Sequence, residues 1–271
     1  MLSVSTVNVN GIRAAARRGM PDWLTHAAPD ILLLQEVRAN RAQLDEVFET
    51  TDTIHLHDSR LKGRAGVAVI SALPHGEVRT GLSEEEPDVD SGRWLEVDLS
   101  VPELQRPLTV ISTYLHSGTV GTEKMDFKYA HLDRVGARLH ELAADMAAGR
   151  REVLIAGDFN IVRSERDIKN WKGNYNKTAG VLQDEIDHLD RWFDELGFVD
   201  VHRQLAGDVQ GPYTWWSWRG KAYDNDAGWR IDYQMASPGL AAAAREAHVF
   251  RAETWAERFS DHAPLTVRYE L

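Results

Sequence analysis

The stretch Glu152-Val-Leu-Ile-Ala-Gly-Asp-Phe-Asn160 joins an apolar run to two polar side chains. Its first part, Glu152–Ala156, is suited to a buried strand. If the extended geometry continues, Asp158 and Asn160 share one face and Phe159 points into the core, because side chains at i and i+2 of a strand point the same way. The pattern predicts a carboxylate and an amide at the rim of a sheet, suited to holding a metal or aiming a water. Taken alone, the stretch fits an ordinary strand followed by an Asx-rich turn better.

The composition is that of a soluble globular protein. The 271 residues are 43% hydrophobic and 27% charged, enough for one large domain or two small ones. The absence of cysteine excludes disulfides and thiolate chemistry and is compatible with a reducing cytosol. The N-terminus lacks the features of a signal peptide, and the apolar runs are too short to span a membrane. We therefore expect a cytoplasmic protein with no membrane partner.

The net charge of −11 argues against a nonspecific nucleic-acid coat. Basic residues nevertheless cluster at five places, which would allow basic loops on an acidic body. Ordinary solvated charges explain each cluster equally well. The clusters are Arg13, Arg17 and Arg18; Arg60, Lys62 and Arg64; Lys124 and Lys128; Lys169, Lys172 and Lys177; and Arg219 and Lys221.

Strand-like segments recur along the chain, and helical patterns interrupt them irregularly. The predicted strands are Ser3–Asn10, Asp30–Gln35, Ala65–Ser71, Arg93–Leu99, Leu108–Leu115, Glu152–Ala156, Arg230–Ala236, His248–Arg251 and Leu265–Tyr269. The predicted helices are Pro21–Ala28, Arg41–Glu49, Glu123–Ala148 and Gln183–Leu196. Because strands outnumber helices without regular alternation, the pattern favours an α+β fold in which sheet packs on sheet with helices outside. No linker divides the chain, so we expect a single domain over residues 1–271.

Polar side chains follow many of these strands. Each fits an ordinary polar strand end when taken singly. Together, their carboxylates and amides are hard oxygen ligands suited to Mg²⁺ or Mn²⁺, and an Asp with a His can supply general-base chemistry. The set comprises Asn8, Asn10, Glu36, Tyr114, His116, Asp158, Asn160, Asp232, Asp261 and His262.

Five ordered motifs resemble those of the exonuclease III family of apurinic/apyrimidinic (abasic-site) endonucleases, in the endonuclease/exonuclease/phosphatase superfamily. The motifs are Asn8-Val-Asn-Gly-Ile-Arg-Ala14, Leu34-Gln-Glu36, Gly157-Asp-Phe-Asn160, Trp229-Arg-Ile-Asp232 and Ser260-Asp-His-Ala-Pro264. The resemblance implies a four-layer αββα sandwich (an α/β sandwich) with the motifs at one rim. It also implies a monomeric, Mg²⁺-dependent phosphodiesterase, with Mn²⁺ as an alternative ion. Such an enzyme cleaves double-stranded DNA 5′ to abasic sites, processes 3′ ends and acts as a 3′→5′ exonuclease.

The same resemblance assigns roles to the strand-end residues. Asp158 would activate water, Asn160 would orient it, and Tyr114 would support the phosphate and the leaving group. His262, held by Asp232, would contact the scissile phosphate or take part in proton transfer. Glu36 would be the principal metal ligand. The full implied metal set is Glu36, Asn8, Asp158, Asn160, Asp261 and His262.

A substrate pocket is implied as well. Trp215, Trp229 and Ile231 would form an apolar wall for a flipped-out abasic sugar, although three core aromatic and aliphatic residues would look the same in sequence. Further substrate contacts would come from Asn10, Arg13, Lys172, Asn174 and Arg219.

The loop Tyr114-Leu-His-Ser-Gly118 departs from the family pattern, which has x-Pro-Asn or x-Pro-Gln-Gly after the tyrosine. The departure puts a phosphate contact in doubt, and His116 is a candidate substitute for it. Two alternative functions remain at this stage. One is a phosphoesterase of the superfamily acting on a lipid or small-molecule phosphate, and the other is a DNA-binding relative with weak or lost catalysis.

Overall fold

Two six-stranded mixed sheets form the centre of the computed structural model, which describes residues 1–48 and 50–271. The first sheet has the order β11-β12-β1-β2-β4-β3 and the second the order β5-β6-β7-β8-β10-β9. The strands are β1 (Leu2–Asn8), β2 (Ile31–Gln35), β3 (Thr53–His57), β4 (Val67–Ser71), β5 (His75–Thr80), β6 (Trp94–Leu99), β7 (Leu108–Tyr114), β8 (Glu152–Asp158), β9 (Val199–Asp200), β10 (Asp232–Ala236), β11 (Ala244–Val249) and β12 (Leu265–Tyr269).

Helices cover the outer faces of both sheets. The helices are α1 (Ile12–Ala16), α2 (Met20–Ala27), α3 (Arg41–Asp45), α4 (Glu123–Ala147), α5 (Trp171–Asn174), α6 (Gln183–Asp190), α7 (Val201–Ala206) and α8 (Pro238–Ala243). Apolar residues of α1–α3 pack on the first sheet, and those of α4 and α6 pack on the second. A third core, including Val4, Leu33, Val97 and Leu154, fills the space between the sheets. The predicted four-layer α/β sandwich is therefore confirmed.

The predicted helices lie where the structure has helices, and the segment predicted as Gln183–Leu196 is α6 followed directly by a π-helical turn over Arg191–Glu195. Pro21 lies in the first turn of α2, and Gly149 follows α4 in the left-handed conformation, with φ of +67°. Helix α3 ends at Asp45, earlier than predicted, and Glu49 lies outside the described residues. Among the described residues, no helix combines the length and the apolar character needed to cross a membrane.

The prediction missed edge strands. Strands β3, β5 and β9 were not predicted, and β11 begins at Ala244 rather than at His248. These four strands lie at the four edges of the two sheets. An edge strand buries less of its surface than a central strand, so its sequence need not carry a strong apolar pattern. Strand β5, for example, is exposed along most of its length.

The strand directions bring the motifs to one rim. Strands β1 and β2 are parallel, so Asn8 ends opposite Gln35, next to Glu36. Strands β7 and β8 are also parallel and place Tyr114 opposite Asp158. Strand β10 runs antiparallel to β8, and its first residue, Asp232, is also paired with Asp158. The polar strand ends therefore meet at the same edge of both sheets.

Candidate active site

The backbone turns sharply where three of these strands end. Asn10, Glu36 and Asn160 have φ of +47°, +48° and +51°, in the left-handed region that Asn tolerates better than most residues. Strand β8 therefore stops at Asp158, and the extended geometry predicted to carry Asn160 onto the same face is wrong. Asn160 reaches the site through an Asx turn, in which its N–H donates to Asp158 Oδ1 at 2.9 Å. Phe159 packs in the core as predicted.

Asn8 connects the two sheets at the rim. It is fully buried, and its Nδ2 donates to Glu36 Oε1 and to Asp158 Oδ2, both at 2.9 Å. Its Oδ1 accepts the N–H of Asn10 at 2.9 Å. The Asn8 amide thus presents its N–H groups to the two carboxylates and fixes their separation.

Asp232, His262 and Asp158 form a buried chain of charged groups. His262 Nδ1 lies 2.9 Å from Asp232 Oδ2, and His262 Nε2 lies 3.6 Å from Asp158 Oδ2. Burial lowers the pKa of His262, but the carboxylates of Asp232 and Asp158 overcome this effect, so the pKa lies well above its ordinary value. Burial raises the pKa of Asp158. The negative charges of Asp232 and Glu36 raise it further, whereas the positive charge of His262 lowers it. The His262 imidazole is therefore protonated and positively charged at neutral pH.

Glu36 and Tyr114 both lie near Asp158: Asn8 bridges Glu36 to Asp158, and Tyr114 pairs with Asp158 across β7 and β8. Glu36 Oε2 forms an ion pair with Arg38. Burial and the negative charge of Glu36 raise the pKa of Tyr114, so its hydroxyl keeps its proton. The guanidinium of Arg93 covers the Tyr114 ring at 4.6 Å from its centroid. Tyr114 can therefore donate a hydrogen bond beside a carboxylate.

Asp261 faces the site from the loop before β12. Its Oδ1 accepts from Asn10 Nδ2 at 2.8 Å, and its Oδ2 accepts from Trp215 Nε1 at 3.1 Å. Burial raises the pKa of Asp261, but the positive His262 and these two hydrogen bonds lower it further, so the carboxyl is ionised. Asp261 thus connects Asn10, at the acidic rim, with Trp215 through hydrogen bonds.

The donor set fits a hard divalent cation. Glu36, Asp158, Asp232 and Asp261 bring four carboxylates to one rim, and Asp232 Oδ1 has no hydrogen-bond partner among the described residues. His262 and Arg38 supply less positive charge than the carboxylates supply negative charge. Asp158, Asp232 and His262 also offer ligand atoms within 4.8 Å of one another. Buried carboxylates in excess favour a bound cation, and oxygen donors favour Mg²⁺ or Mn²⁺.

A cavity of about 590 Å³, the catalytic cavity, opens onto these groups. Its lining includes the polar residues Asp158, Asn160 and His262 and the apolar residues Trp215, Trp229 and Ile231. The two tryptophan rings meet edge to face, with centroids 5.4 Å apart. Six residues of the predicted polar set therefore line the same cavity as the predicted apolar wall: Glu36, Tyr114, Asp158, Asn160, Asp261 and His262.

The apolar wall has a buried ionic support that the sequence interpretation missed. Arg230 is fully buried between Trp229 and Ile231 in the chain. Its guanidinium contacts Asp167 Oδ1 at 2.6 Å and Asp200 Oδ2 at 2.7 Å. Two distant acidic residues thus fix the backbone that carries the wall. Their separation in sequence left no local pattern that could have identified them.

The residues predicted to contact substrate through polar or basic groups lie outside the catalytic cavity. Arg13 lines a separate depression that also includes Asn10, while Lys172 and Arg219 are exposed and do not line the catalytic cavity. Asn174 is engaged within its own loop, donating to Asn170 O and accepting from Thr178.

Other basic residues line the site instead. A second cavity of about 640 Å³, the basic cavity, adjoins the catalytic cavity and shares Glu36 and Tyr114 with it. Lys177 belongs to a predicted basic cluster, as do Arg64 and Lys124, but Arg38 and Arg93 carried no sequence signal. The basic residues that line the two cavities are Arg38, Arg64, Arg93, Lys124 and Lys177.

Two residues considered as basic or phosphate contacts, Lys128 and His116, have partners in the interior instead. Lys128 is not part of an exposed basic loop: its ammonium is fully buried and pairs with Glu185 at 2.6 Å. It also donates to Asn160 O at 3.0 Å. His116 is not free to replace a phosphate contact, because its Nε2 is held by Asp90 Oδ1 at 2.7 Å. Both residues have inward-facing partners that are remote in sequence.

Residues 5–262 match the endonuclease/exonuclease/phosphatase family. The chain belongs to this family. An exodeoxyribonuclease of Bacillus subtilis (strain 168) is 31% identical over 259 residues, which cover 95% of this chain and 95% of the relative. A DNA-(apurinic or apyrimidinic site) endonuclease of Dictyostelium discoideum is 26% identical, with 100% of this chain and 71% of the relative covered.

A solved structure of an AP endonuclease from Archaeoglobus fulgidus superposes with a TM-score of 0.83 and 26% identity, over 100% of both chains. Together with the family match, these similarities confirm the resemblance to the exonuclease III group. They also confirm the prediction of a hydrolytic DNA repair nuclease.

Proposed function

We propose that this family member is a Mg²⁺-dependent phosphodiesterase that incises double-stranded DNA 5′ to abasic sites and removes nucleotides or blocking groups from 3′ ends. The observation that carries the proposal is the catalytic cavity, in which a carboxylate–histidine rim faces an apolar wall of two tryptophans and an isoleucine. We further propose that residues 1–271 act as a single catalytic domain, in a monomeric cytoplasmic protein. The exodeoxyribonuclease and abasic-site endonuclease relatives support the choice of substrate.

Glu36 is the proposed principal ligand of the cation. It lies at the edge of the catalytic cavity, and Asn8 holds its Oε1 at a fixed distance from Asp158. Asp261, Asp158 and Asn160 complete the surroundings of the ion, with Asn8 as an orienting neighbour. His262, a ligand by family resemblance, is instead proposed to face the phosphate, because Asp232 holds its Nδ1 and its raised pKa keeps Nε2 protonated. When bound, the cation neutralises phosphate oxygens and stabilises developing negative charge. Mn²⁺ has the same preference for oxygen ligands and is the proposed alternative.

Asp158 is the proposed general base. Its carboxylate is buried beside the cavity and has a raised pKa, which suits a group that accepts a proton from water near neutral pH. Asn160 Nδ2 lies 3.1 Å from Asp158 Oδ2, so its amide can orient the same water. The water oxygen forms the new bond to phosphorus while the bond between phosphorus and the 3′ oxygen breaks. The water proton passes to Asp158, the phosphate stays on the downstream strand, and the 3′ oxygen leaves and takes up a proton to become a hydroxyl.

His262 and Tyr114 are the proposed donors to the phosphate. Asp232 holds the imidazole through Nδ1 and leaves Nε2 directed towards Asp158 and the cavity. The protonated ring can therefore stabilise negative charge on a phosphate oxygen. Tyr114 retains its proton and can donate to the phosphate or to the leaving 3′ oxygen.

The apolar wall is proposed to select the abasic sugar. A baseless sugar is small and half apolar, and Trp215, Trp229 and Ile231 offer it an aromatic and aliphatic surface. A base attached to the sugar would need additional room against the same wall. The more distant basic residues Arg13, Lys172 and Arg219, with Asn10 and Asn174, are proposed to contact the DNA away from the cleaved bond.

Incision of a duplex with one abasic analogue tests the proposal. Wild type and Asp158→Asn are compared in Mg²⁺ and in chelator, beside an intact duplex and a small-molecule phosphate ester. We expect incision by wild type in Mg²⁺, and losses of about a hundredfold or more in the variant, as for removal of other groups that stabilise a transition state. Preferential hydrolysis of the small ester, or incision that is unchanged in chelator, would contradict the proposal.

The apolar wall has its own test. Trp215→Leu should reduce incision at the abasic analogue more than it reduces removal of a 3′-terminal phosphate, because only the first reaction places a sugar against the wall. Trp255→Leu is the matched control, since Trp255 is 45% exposed and does not line the catalytic cavity. Equal losses on both substrates would show that the wall does not select the sugar.

A further inference from the structure

A second buried cluster lies beside the basic cavity, whose lining includes His116. His116 Nε2 is 2.7 Å from Asp90 Oδ1, and His131 Nδ1 is 3.3 Å from Asp90 Oδ2. Arg134 also pairs with Asp90 Oδ2. Asp90 and His131 are about 1% exposed or less, and His116 is 9% exposed. None of these groups takes part in the proposed chemistry, so their burial requires another explanation.

The cluster has the composition of a metal site but the surroundings of a hydrogen-bonded network. Asp90, His116 and His131 offer three ligand atoms within 4.8 Å. However, the guanidinium of Arg134 already neutralises Asp90, and Arg93 adds a second positive charge nearby. A divalent cation would be repelled by both arginines. The geometry therefore favours an Asp90 carboxylate that accepts hydrogen bonds.

His116 joins this network to the loop after Tyr114. Burial lowers the pKa of His116 to about 4, although Asp90 opposes this effect, so the imidazole is neutral at pH 7. A neutral imidazole that donates from Nε2 gives Asp90 an uncharged hydrogen-bond donor. The loop residues Leu115–Val120 include no proline, so this side-chain contact restrains a backbone that is not stiffened by its sequence.

Neighbouring contacts converge on Tyr114. Arg93, three residues after Asp90, donates to Tyr114 O at 3.2 Å and to Val89 O at 2.9 Å. Leu115 N donates to Asp158 O at 2.9 Å, which couples the loop to the catalytic strand. The segment from Val89 to Arg93 thus holds both Tyr114 and the residue two positions after it.

We propose that Asp90 and His116 are positioning residues, which hold the loop after Tyr114 so that the Tyr114 hydroxyl meets the phosphate. The inference rests on the proposed function, because it concerns the same reaction. Neither residue touches the reacting atoms. Removal of the His116 hydrogen bond is therefore expected to reduce kcat more than it raises KM.

Three variants separate a positioning role from a purely structural one. His116→Leu removes the hydrogen bond, whereas His116→Gln keeps a donor at a position similar to Nε2. His131→Leu removes a buried histidine that contacts Asp90 and packs edge to face on the His116 ring, with centroids 5.1 Å apart, but leaves the His116 Nε2 hydrogen bond in place. Incision kinetics on the abasic duplex and the melting temperature are measured for each variant. Hydrogen–deuterium exchange of residues 114–119 is measured without DNA.

We expect kcat of His116→Leu to fall about tenfold to a hundredfold, the range in which small misplacements of reacting groups act. His116→Gln should stay within about threefold of wild type, and His131→Leu should lower the melting temperature with little effect on kcat. Exchange in residues 114–119 should increase in His116→Leu and return towards wild type in His116→Gln.

Three kinetic results would each overturn the inference: an unchanged kcat in His116→Leu, equal losses in both His116 variants, or an equal loss in His131→Leu. Unchanged exchange of residues 114–119 in His116→Leu would overturn it as well. A wild-type protein that fails to incise abasic DNA would refute the proposed function instead. The exchange experiment would still decide whether His116 holds the loop.

Discussion

Replacement of Asp232 by Asn tests the charged chain at the centre of the site. Asp232 Oδ2 lies 2.9 Å from His262 Nδ1, and both residues are buried. Asp232 is the largest charged contribution that raises the pKa of His262. The substitution removes this charge with little change in volume. The pKa of His262 should therefore fall, and a smaller fraction of the imidazole should carry a proton at neutral pH.

The magnitude follows from the interaction that is lost. A hydrogen bond to a charged group contributes about 1.5–3 kcal/mol. If this energy acts in the transition state, the incision rate should fall between about tenfold and about 150-fold. Single-turnover incision of the abasic duplex at pH 7, with saturating protein and Mg²⁺, measures the loss. An NMR titration of the His262 ring measures the accompanying decrease in its pKa.

A double-mutant comparison makes the test specific. Asp232→Asn should have little additional effect in a His262→Gln background, because the residue it acts through is already absent. Melting temperatures control for unfolding. A rate within about twofold of wild type in Asp232→Asn, together with a large loss in His262→Gln, would refute the view that Asp232 prepares His262 for catalysis.

Three further predictions concern stability and DNA binding. Because the pKa of Asp158 is raised in the folded protein, the contribution of Asp158 to stability falls as pH rises above the ordinary aspartate range. Asp158→Asn should therefore raise the metal-free melting temperature more at pH 8 than at pH 5. An equal shift at both pH values would contradict this. Arg230→Met removes the arginine partner of buried Asp200 and leaves buried Asp167 with Arg203 alone, so it should lower the free energy of unfolding measured in urea by about 3–5 kcal/mol. A loss under about 1 kcal/mol would show that the network is dispensable. If four of the basic residues that line the two cavities contact phosphates, a plot of the logarithm of DNA affinity against the logarithm of salt concentration should have a slope of about −3.6. Salt-insensitive binding would exclude these contacts.

Central strands and their polar ends were predictable from the sequence. Strands such as β2 and β8 are buried on both faces, so their residues form continuous apolar runs that end at a polar side chain. Glu36 and Asp158 could be identified in this way. Edge strands such as β5 expose most of their side chains and carry no comparable signal.

Contacts between distant residues were not predictable from a single sequence. Arg230 depends on Asp167 and Asp200, which lie 63 and 30 residues away. Lys128 looks like part of a basic loop until Glu185 is placed beside it. The left-handed turn at Asn160 was also missed, because the Asx-turn geometry depends on how Asp158 is held by its neighbours. These features arise from tertiary packing rather than from local pattern.

The most direct measurement is the identity of the ends produced from a duplex that carries one abasic site. In-line attack by water, with Asp158 as base, predicts incision immediately 5′ to the lesion in Mg²⁺. The upstream strand should carry a 3′ hydroxyl that a DNA polymerase can extend, and the downstream strand should retain the sugar on its 5′ phosphate. An upstream strand that ends in an unsaturated sugar would indicate elimination instead of hydrolysis. That result, or no incision at all in Mg²⁺, would contradict the proposed function.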